Sequence, residues 1–402
     1  MDPQHDADAL LERRTKLDIF IASLEPKFVD TREDVRSAAV NHLADVLQRL
    51  PFEFLSPREI PPIAQFFLAK FTDSSALIAP SLRGLSAMIR MENVTEETVE
   101  HLLQGLFQGH LCQQLRQSDR SVYLEILDTA ILKHPQGRGK ICVILVLLPT
   151  ECQRVRRLGP IVFLSNVVTS IGGERDPRCL LQAFELVPKA LDLFQDQTSE
   201  KAIVAEDLFE VVACYFPIDF TPAPAADGGT ITREDLKSRL EFCLSHNKEF
   251  AEFLLPMLLE KAGSDLLAAK LDSLDLLVAC CEAGYDNPLV SPYMEEMMDI
   301  CRQNMLLIYA PQLADRTLDA IAAVTRALEK GSPVYPPTQW HQEIFNAWDS
   351  HVKDSKFLSP SSANLRILRT VLGASTIAAE HLKHQVSSQA FGKRRRSFKI
   401  RE

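Results

Sequence analysis

The sequence predicts an all-α chain folded as a right-handed α-solenoid of antiparallel helix pairs. Three observations predict it. Apolar residues recur at spacings of three and four through most of the chain, which is the period of one helix face. The paired segments return about every 40 to 50 residues, a repeat too short to bury a core alone. Glycine is sparse, at 15 residues in 402, and strand-like alternation is rare. Hairpins of this kind bury their apolar faces only by stacking on their neighbours.

The first pair spans residues 8–24 and 32–50. In its second helix Val35, Ala38, Ala39, His42, Leu43, Val46 and Leu47 form one stripe. Asp30 and Thr31 offer N-cap oxygens, and Pro51 stops the helix. Residues 57–71 and 76–91 form the next pair, followed by 95–107 and 119–132. Later helices are expected over 177–194, then 204–215 with 233–244, 249–261 with 265–282, 292–308 with 313–329, and 339–351 with 362–384. Most junctions carry Pro, Gly, Ser or Asp. Leu43, Leu85, Leu127, Leu186, Leu258, Leu274 and Leu318 are expected in the core.

Composition excludes several classes. Hydrophobic content of 46% with 24% charged residues is that of a folded chain, not a disordered one. Lys plus Arg number 44 against 54 Asp plus Glu, a net charge of −10. Such a chain repels phosphate backbones, so direct nucleic-acid binding is not expected. The longest apolar run, residues 141–148, is far shorter than the roughly 20 residues a membrane helix needs, so no membrane partner is expected. No apolar leader segment opens the chain. The nine cysteines are scattered through apolar helical contexts without a Cys-x-x-Cys. They are expected as core thiols in a reducing compartment. Adjacent Cys280 and Cys281 point about 100° apart on a helix and cannot chelate together. No metal, cofactor or cluster is expected.

Enzyme signatures are missing too. There is no phosphate loop, no Gly-x-Ser-x-Gly and no His-Glu-x-x-His. Ile171-Gly172-Gly173 lacks dinucleotide-loop spacing and predicts a turn. His381 and His384 share a helical face, but without a carboxylate or cysteine cluster nearby they are expected as a solvated pair. Glu96-Glu97 and Glu295-Glu296 predict solvated helix faces. No catalytic residue is assigned.

The most informative stretch is 206–246. A helical pattern through Leu208, Phe209, Val212 and Tyr215 runs into Cys-Tyr-Phe-Pro-Ile-Asp-Phe-Thr-Pro, then a loop rich in Pro, Ala and Gly. Thr232 and Asp235 have the spacing of a near capping box at the next helix. The 215–224 loop carries four bulky apolar groups, more than a connector needs. Tyr215 and Phe216 are expected to continue the helical face and plug the seam between repeats. Ile218, Asp219 and Phe220 follow Pro217, which interrupts that face, and are expected as an exposed partner contact.

This run, with Lys270-Leu271-Asp272-Ser273-Leu274 and Ala279-Cys280-Cys281, resembles the methyl-methanesulfonate-sensitivity protein nineteen family. The likeness is strongest over about 176–281 and collinear from about 17 to 386. It implies HEAT-like repeats over 1–138 and 154–386, and the amino-terminal half only of the family scaffold. It implies a non-catalytic adaptor of the cytosolic iron–sulfur protein assembly (CIA) targeting complex, active in cytoplasm and nucleus. The partners it implies are the CIA targeting subunits and apo iron–sulfur clients such as DNA helicases and polymerases. Docking to the CIA subunits resembles a task of carboxy-terminal repeats that do not occur here. A transport or signalling solenoid, karyopherin-like or a phosphatase scaffold, is the alternative, but it should lack the Cys-Tyr-Phe-Pro-Ile-Asp-Phe run.

Two segments depart from the family pattern: 139–153 and the basic tail 387–402. Gly139-Lys140 and Gly392-Lys393 are each codable as a splice donor, and Cys152-Gln153 as a splice acceptor. Both are read as translated intron sequence. The tail could alternatively act as an import signal or a basic contact. Transcripts that always keep codons 139–153 would sink the intron reading.

Overall fold

The computed structural model describes residues 2–133, 159–193, 198–221, 231–305 and 310–353, with single positions between 369 and 379. The 139–153 segment, the 387–402 tail, His381 and His384 lie outside the described residues. Among the described residues every regular element is helical. They divide into two compact units, Met1–Cys214 with Phe220–Arg239, and Tyr215–Asp219 with Leu240–Glu402.

The first unit opens with α1 (Pro3–Leu11), α2 (Leu17–Phe28) and α3 (Glu33–Arg49). The single helix expected over 8–24 is therefore two. Glu12 to Lys16 offers five polar residues with no apolar anchor, so nothing holds a helix there against the core. Arg13 takes a left-handed φ of 58°, and the amide of Arg14 donates back to Ala9 O at 2.9 Å. That closes α1 as a left-handed cap does. Both helices pack on α3, where buried His42 bonds Asp6 at 2.8 Å.

Next come α4 (Ile60–Phe71), α5 (Ser75–Arg90), α6 (Glu96–Gly109) and α7 (Gln117–Lys133). Then follow α8 (Gly159–Ile171), α9 (Pro177–Asp192), α10 (Thr198–Ala213) and α11 (Arg233–His246). The boundary between units falls inside α11. In this unit α3, α5, α7 and α9 pack side by side as an inner row, while α4 packs on α6 and α8 on α10 in an outer one. Two rows with antiparallel partners are the layers of a helical-repeat stack.

The second unit holds α12 (Ala251–Gly263), α13 (Leu267–Glu282), a short α14 (Asn287–Val290), α15 (Met294–Met305), α16 (Pro311–Leu328) and α17 (Pro337–Lys353). Here α12 pairs with α13 and α15 with α16, and α13 lies along α16.

Leu43, Leu85, Leu127, Leu186, Leu258 and Leu274 are buried. Leu318 is only half-buried, contrary to expectation. The inward stripe of α16 runs instead through Leu313, Thr317, Ile321 and Val324. Thr317 tolerates this position because its hydroxyl donates to Leu313 O at 2.7 Å.

Close crossing of α4 and α5 depends on one glycine. A Cβ at Gly84 would stand 2.2 Å from the ring of Phe67, which is fully buried. Gly84→Ala is expected to lower stability by about 1–3 kcal/mol through overpacking, despite the better helix propensity of alanine. Chemical denaturation of Gly84→Ala alone and combined with Phe67→Leu checks it. The smaller side chain should recover part of the loss.

Candidate partner-binding surface

The inner row of the first unit carries a charged ladder. Consecutive helices are joined by one acid–base pair at each seam. Arg83 Nη1 of α5 donates to Asp45 Oδ1 of α3 at 3.2 Å. Arg90, two turns along α5, pairs with Glu125 of α7. Lys189 Nζ of α9 donates to Asp128 Oδ1 of α7 at 2.6 Å. Arg239 of α11 meets Glu185 of α9 at 2.8 Å. In the second unit Arg316 of α16 meets Asp275 of α13 at 3.2 Å. The sequence produces this because each inner helix carries its seam residues on one face. Arg83 and Arg90 are seven apart, Glu125 and Asp128 three, Glu185 and Lys189 four.

Exposed pairs of this type contribute only about 0–1 kcal/mol each. Their effect is on register and on the character of the face. Every basic residue of the ladder already faces a carboxylate, so the row presents mixed charge rather than a phosphate-binding stripe. Between α13 and α16, within the second unit, the Arg316–Asp275 pair lines a cleft of about 320 Å³. Val278, Ala279 and Ala322 lie in it beside Glu282, Asp319 and Arg326. Small apolar patches between opposite charges suit contact with another protein.

The 215–224 segment differs from its expectation. Helix α10 ends at Ala213, so Tyr215 and Phe216 do not continue its face. Phe216 is buried and Tyr215 half-buried. Ile218, expected at the surface, is 7% exposed, and Tyr215–Asp219 belongs to the second unit. Once the helix stops, no helical face dictates which side chain turns inward. Burying an isoleucine contributes about 1.5–3 kcal/mol, and that decides it. Asp219 is exposed and Phe220 half-buried. Residues 222–224 lie outside the described residues. The capping box is present: Thr232 N donates to Asp235 Oδ2 at 2.8 Å, and Asp235 N to Thr232 Oγ1 at 3.1 Å. Thr232 N, together with Thr232 Oγ1 donating to Asp235 Oδ2 at 2.7 Å, holds the Asp235 carboxyl below its usual range.

The buried thiols among the described residues are held in the protonated form by their surroundings, while Cys214 is exposed. Burial pushes Cys112, Cys281 and Cys301 up to about 12 and Cys179 up to about 11. Among the described residues no group of three or more His, Cys, Asp or Glu is placed to hold a metal ion. No helix among them is long and apolar enough to cross a membrane. The Gly172-Gly173 turn has a structural neighbour that the sequence did not disclose. Glu174, 2% exposed, accepts from Arg120 Nε at 2.7 Å and Nη2 at 2.8 Å. An Arg and a Glu 54 residues apart carry no local signal of pairing.

Residues 21–306 match the family model described as MMS19_N, Dos2-interacting transcription regulator of RNA-Pol-II. The MMS19 nucleotide excision repair protein of Drosophila melanogaster is 33% identical over 242 residues, 60% of this chain and 23% of that one. The Homo sapiens homolog is 32% identical, covering 73% of this chain and 26% of that one. The Mus musculus homolog is 30% identical, covering 83% and 30%. The chain thus spans less than a third of the length of these relatives. Among solved structures, Kap121p bound to Pho4p aligns over 96% of this chain and 42% of that one, with a TM-score of 0.41 and 12% identity. With a family model matched over more than half of its length, the chain belongs to the MMS19 amino-terminal family.

Proposed function

We infer that the chain is a non-catalytic adaptor that presents its stacked helices to protein partners. Membership in a family whose relatives are named for nucleotide excision repair and for transcription supports a role serving those processes. The finer reading is delivery of iron–sulfur clusters. A CIA targeting scaffold would hold an apo-protein of replication, repair or transcription while a partner donates the cluster, in both cytoplasm and nucleus. The observation that carries the adaptor reading is the mixed-charge inner ladder, with every seam pair spanning two helices. Such a face recognises through many weak, position-specific contacts and needs no reactive group.

Of the three residues expected as a partner contact, Asp219 is exposed and Phe220 half-buried. Phe220→Ala is expected to weaken client capture by about 2 kcal/mol with little change in melting temperature. Unchanged capture would remove the loop from the interface.

Affinity purification of the chain followed by mass spectrometry tests the function. Recovery of CIA assembly factors and apo iron–sulfur helicases or polymerases is the expected result. Recovery of import cargo or phosphatase subunits in their place would overturn it.

A further inference from the structure

One outer seam of the first unit is open. Helices α4 and α6 close on each other where Leu68 meets Gly105 and Phe71 meets Gly109. Helices α2 and α4 meet near their C-terminal ends. The rings of Phe28 and Phe66 lie 4.7 Å apart there, and Lys70 Nζ donates to Phe28 O at 3.2 Å. Elsewhere a groove of about 690 Å³ separates the two helices. Leu43 and Ile63 are its buried floor, with Ile21, Ala22 and Pro62 along its sides.

The rim is acidic. Asp18 and Glu25 stand on the α2 side and Glu59 on the α4 side, all exposed. Their bonds are local ones, Asp18 accepting from Ile19 N and Glu59 from Ser56 N and Oγ. No cation among the described residues pairs with them. Lys70, the cation that lines the groove, is already held by Asp73 at 3.1 Å.

We propose that this groove docks an amphipathic helix of a partner protein, its apolar stripe flanked by Lys or Arg. The groove follows α2 from Leu17 to Phe28, roughly 16 Å or about three turns. That length seats anchors at i, i+3 or i+4, and i+7. Flanking cations would meet carboxylates from both walls. An acidic helix would meet three unneutralised carboxylates and be repelled. The assignment is independent of the iron–sulfur reading, since a chain that captures no iron–sulfur client could still bind such a helix.

The test uses the full chain and a fluorescein-labelled, stapled helical peptide of about four turns, with a leucine stripe and lysine flanks. Its twin carries glutamate flanks. Fluorescence anisotropy should show the lysine peptide binding at least about tenfold tighter than its twin, and more weakly as salt rises. Ala22→Trp, which fills the groove, should abolish binding, and Glu25→Lys should weaken it about tenfold. Both positions are exposed, so circular dichroism melts should match the parent chain. If Ala22→Trp fails to fold, Glu25→Lys reads the same surface. Equal binding of the two peptides, undiminished binding to either variant, or no binding of the lysine peptide at about 1 mM overturns the proposal. A parent chain that dimerises and becomes monomeric in Ala22→Trp gives the groove to a second copy, which overturns it equally.

Discussion

Replacing Arg120 by Met is expected to lower stability by about 3–5 kcal/mol at neutral pH. Arg120 on α7 holds Glu174 with two parallel bonds and donates a third, Nη1 to Leu115 O at 3.0 Å. Glu174 also accepts from Arg175 N at 2.8 Å and Asp176 N at 2.9 Å. Asp176 in turn caps α9, accepting from Arg178 N at 2.9 Å. The substitution therefore leaves a buried carboxylate and loosens the turn that starts the next helix. Arg120→Lys should recover only part, because an ammonium cannot reproduce the bidentate fork.

The pH dependence gives this prediction a second reading. Burial alone would raise the Glu174 pKa. Arg120 and the two backbone amides outweigh it, so the carboxyl lies below its usual range. A depressed folded-state pKa contributes stability that is present above the unfolded value, about 4.3 for Glu, and lost as pH falls through the folded value. Without Arg120 the largest part of that contribution disappears. The gap between parent and Arg120→Met should therefore hold from about pH 7 down to about 4.3 and narrow as pH falls further, through the folded value. Urea melts at about pH 7 and about pH 3 measure it, and a gap independent of pH would remove Glu174 from the account.

Asn287→Asp is expected to cost about 3 kcal/mol or more. Asn287 is fully buried and uses all of its amide. Its Nδ2 donates to Leu328 O at 2.9 Å and Tyr335 O at 2.8 Å. Its Oδ1 accepts from Val334 N at 2.8 Å and Tyr335 N at 2.9 Å. One side chain thus clasps the loop that joins α16 to α17. Aspartate keeps the acceptor half but replaces the donor nitrogen with one oxygen facing two carbonyls, within a buried site. Asn287→Ala leaves four backbone groups without this partner and should cost a comparable amount. Hydrogen exchange should show early opening of the amides of Val334 and Tyr335 in both variants. Protection equal to the parent would mean the loop is held by other contacts.

Sequence periodicity located most helices, because a 3.6-residue repeat is written directly in the order of apolar residues. The six buried leucines follow from it. So does the capping box at Thr232, since both partners lie within four residues. The break at Arg13 was missed. Leu10 and Leu17, seven apart, keep helical phase across it, which hid the stop that the polar run from Glu12 to Lys16 makes with the left-handed Arg13. Leu318 was misplaced because α16 is apolar over more than one face, and the pattern alone does not say which face turns inward.

The sequence by itself determined the all-helical class and the family. Both are carried by local order, namely apolar spacing and the run from Cys214 to Phe220. Tertiary structure alone decided the seam pairs, the Arg120–Glu174 lock, the Phe67 contact at Gly84, the burial of Ile218 and the acidic groove between α2 and α4. Each joins side chains from separate elements or from beyond the end of a helix, up to 61 residues apart in the Asp128–Lys189 seam. Pairing at that range is fixed by how helices stack, and stacking optimises total burial over the whole unit rather than any local preference.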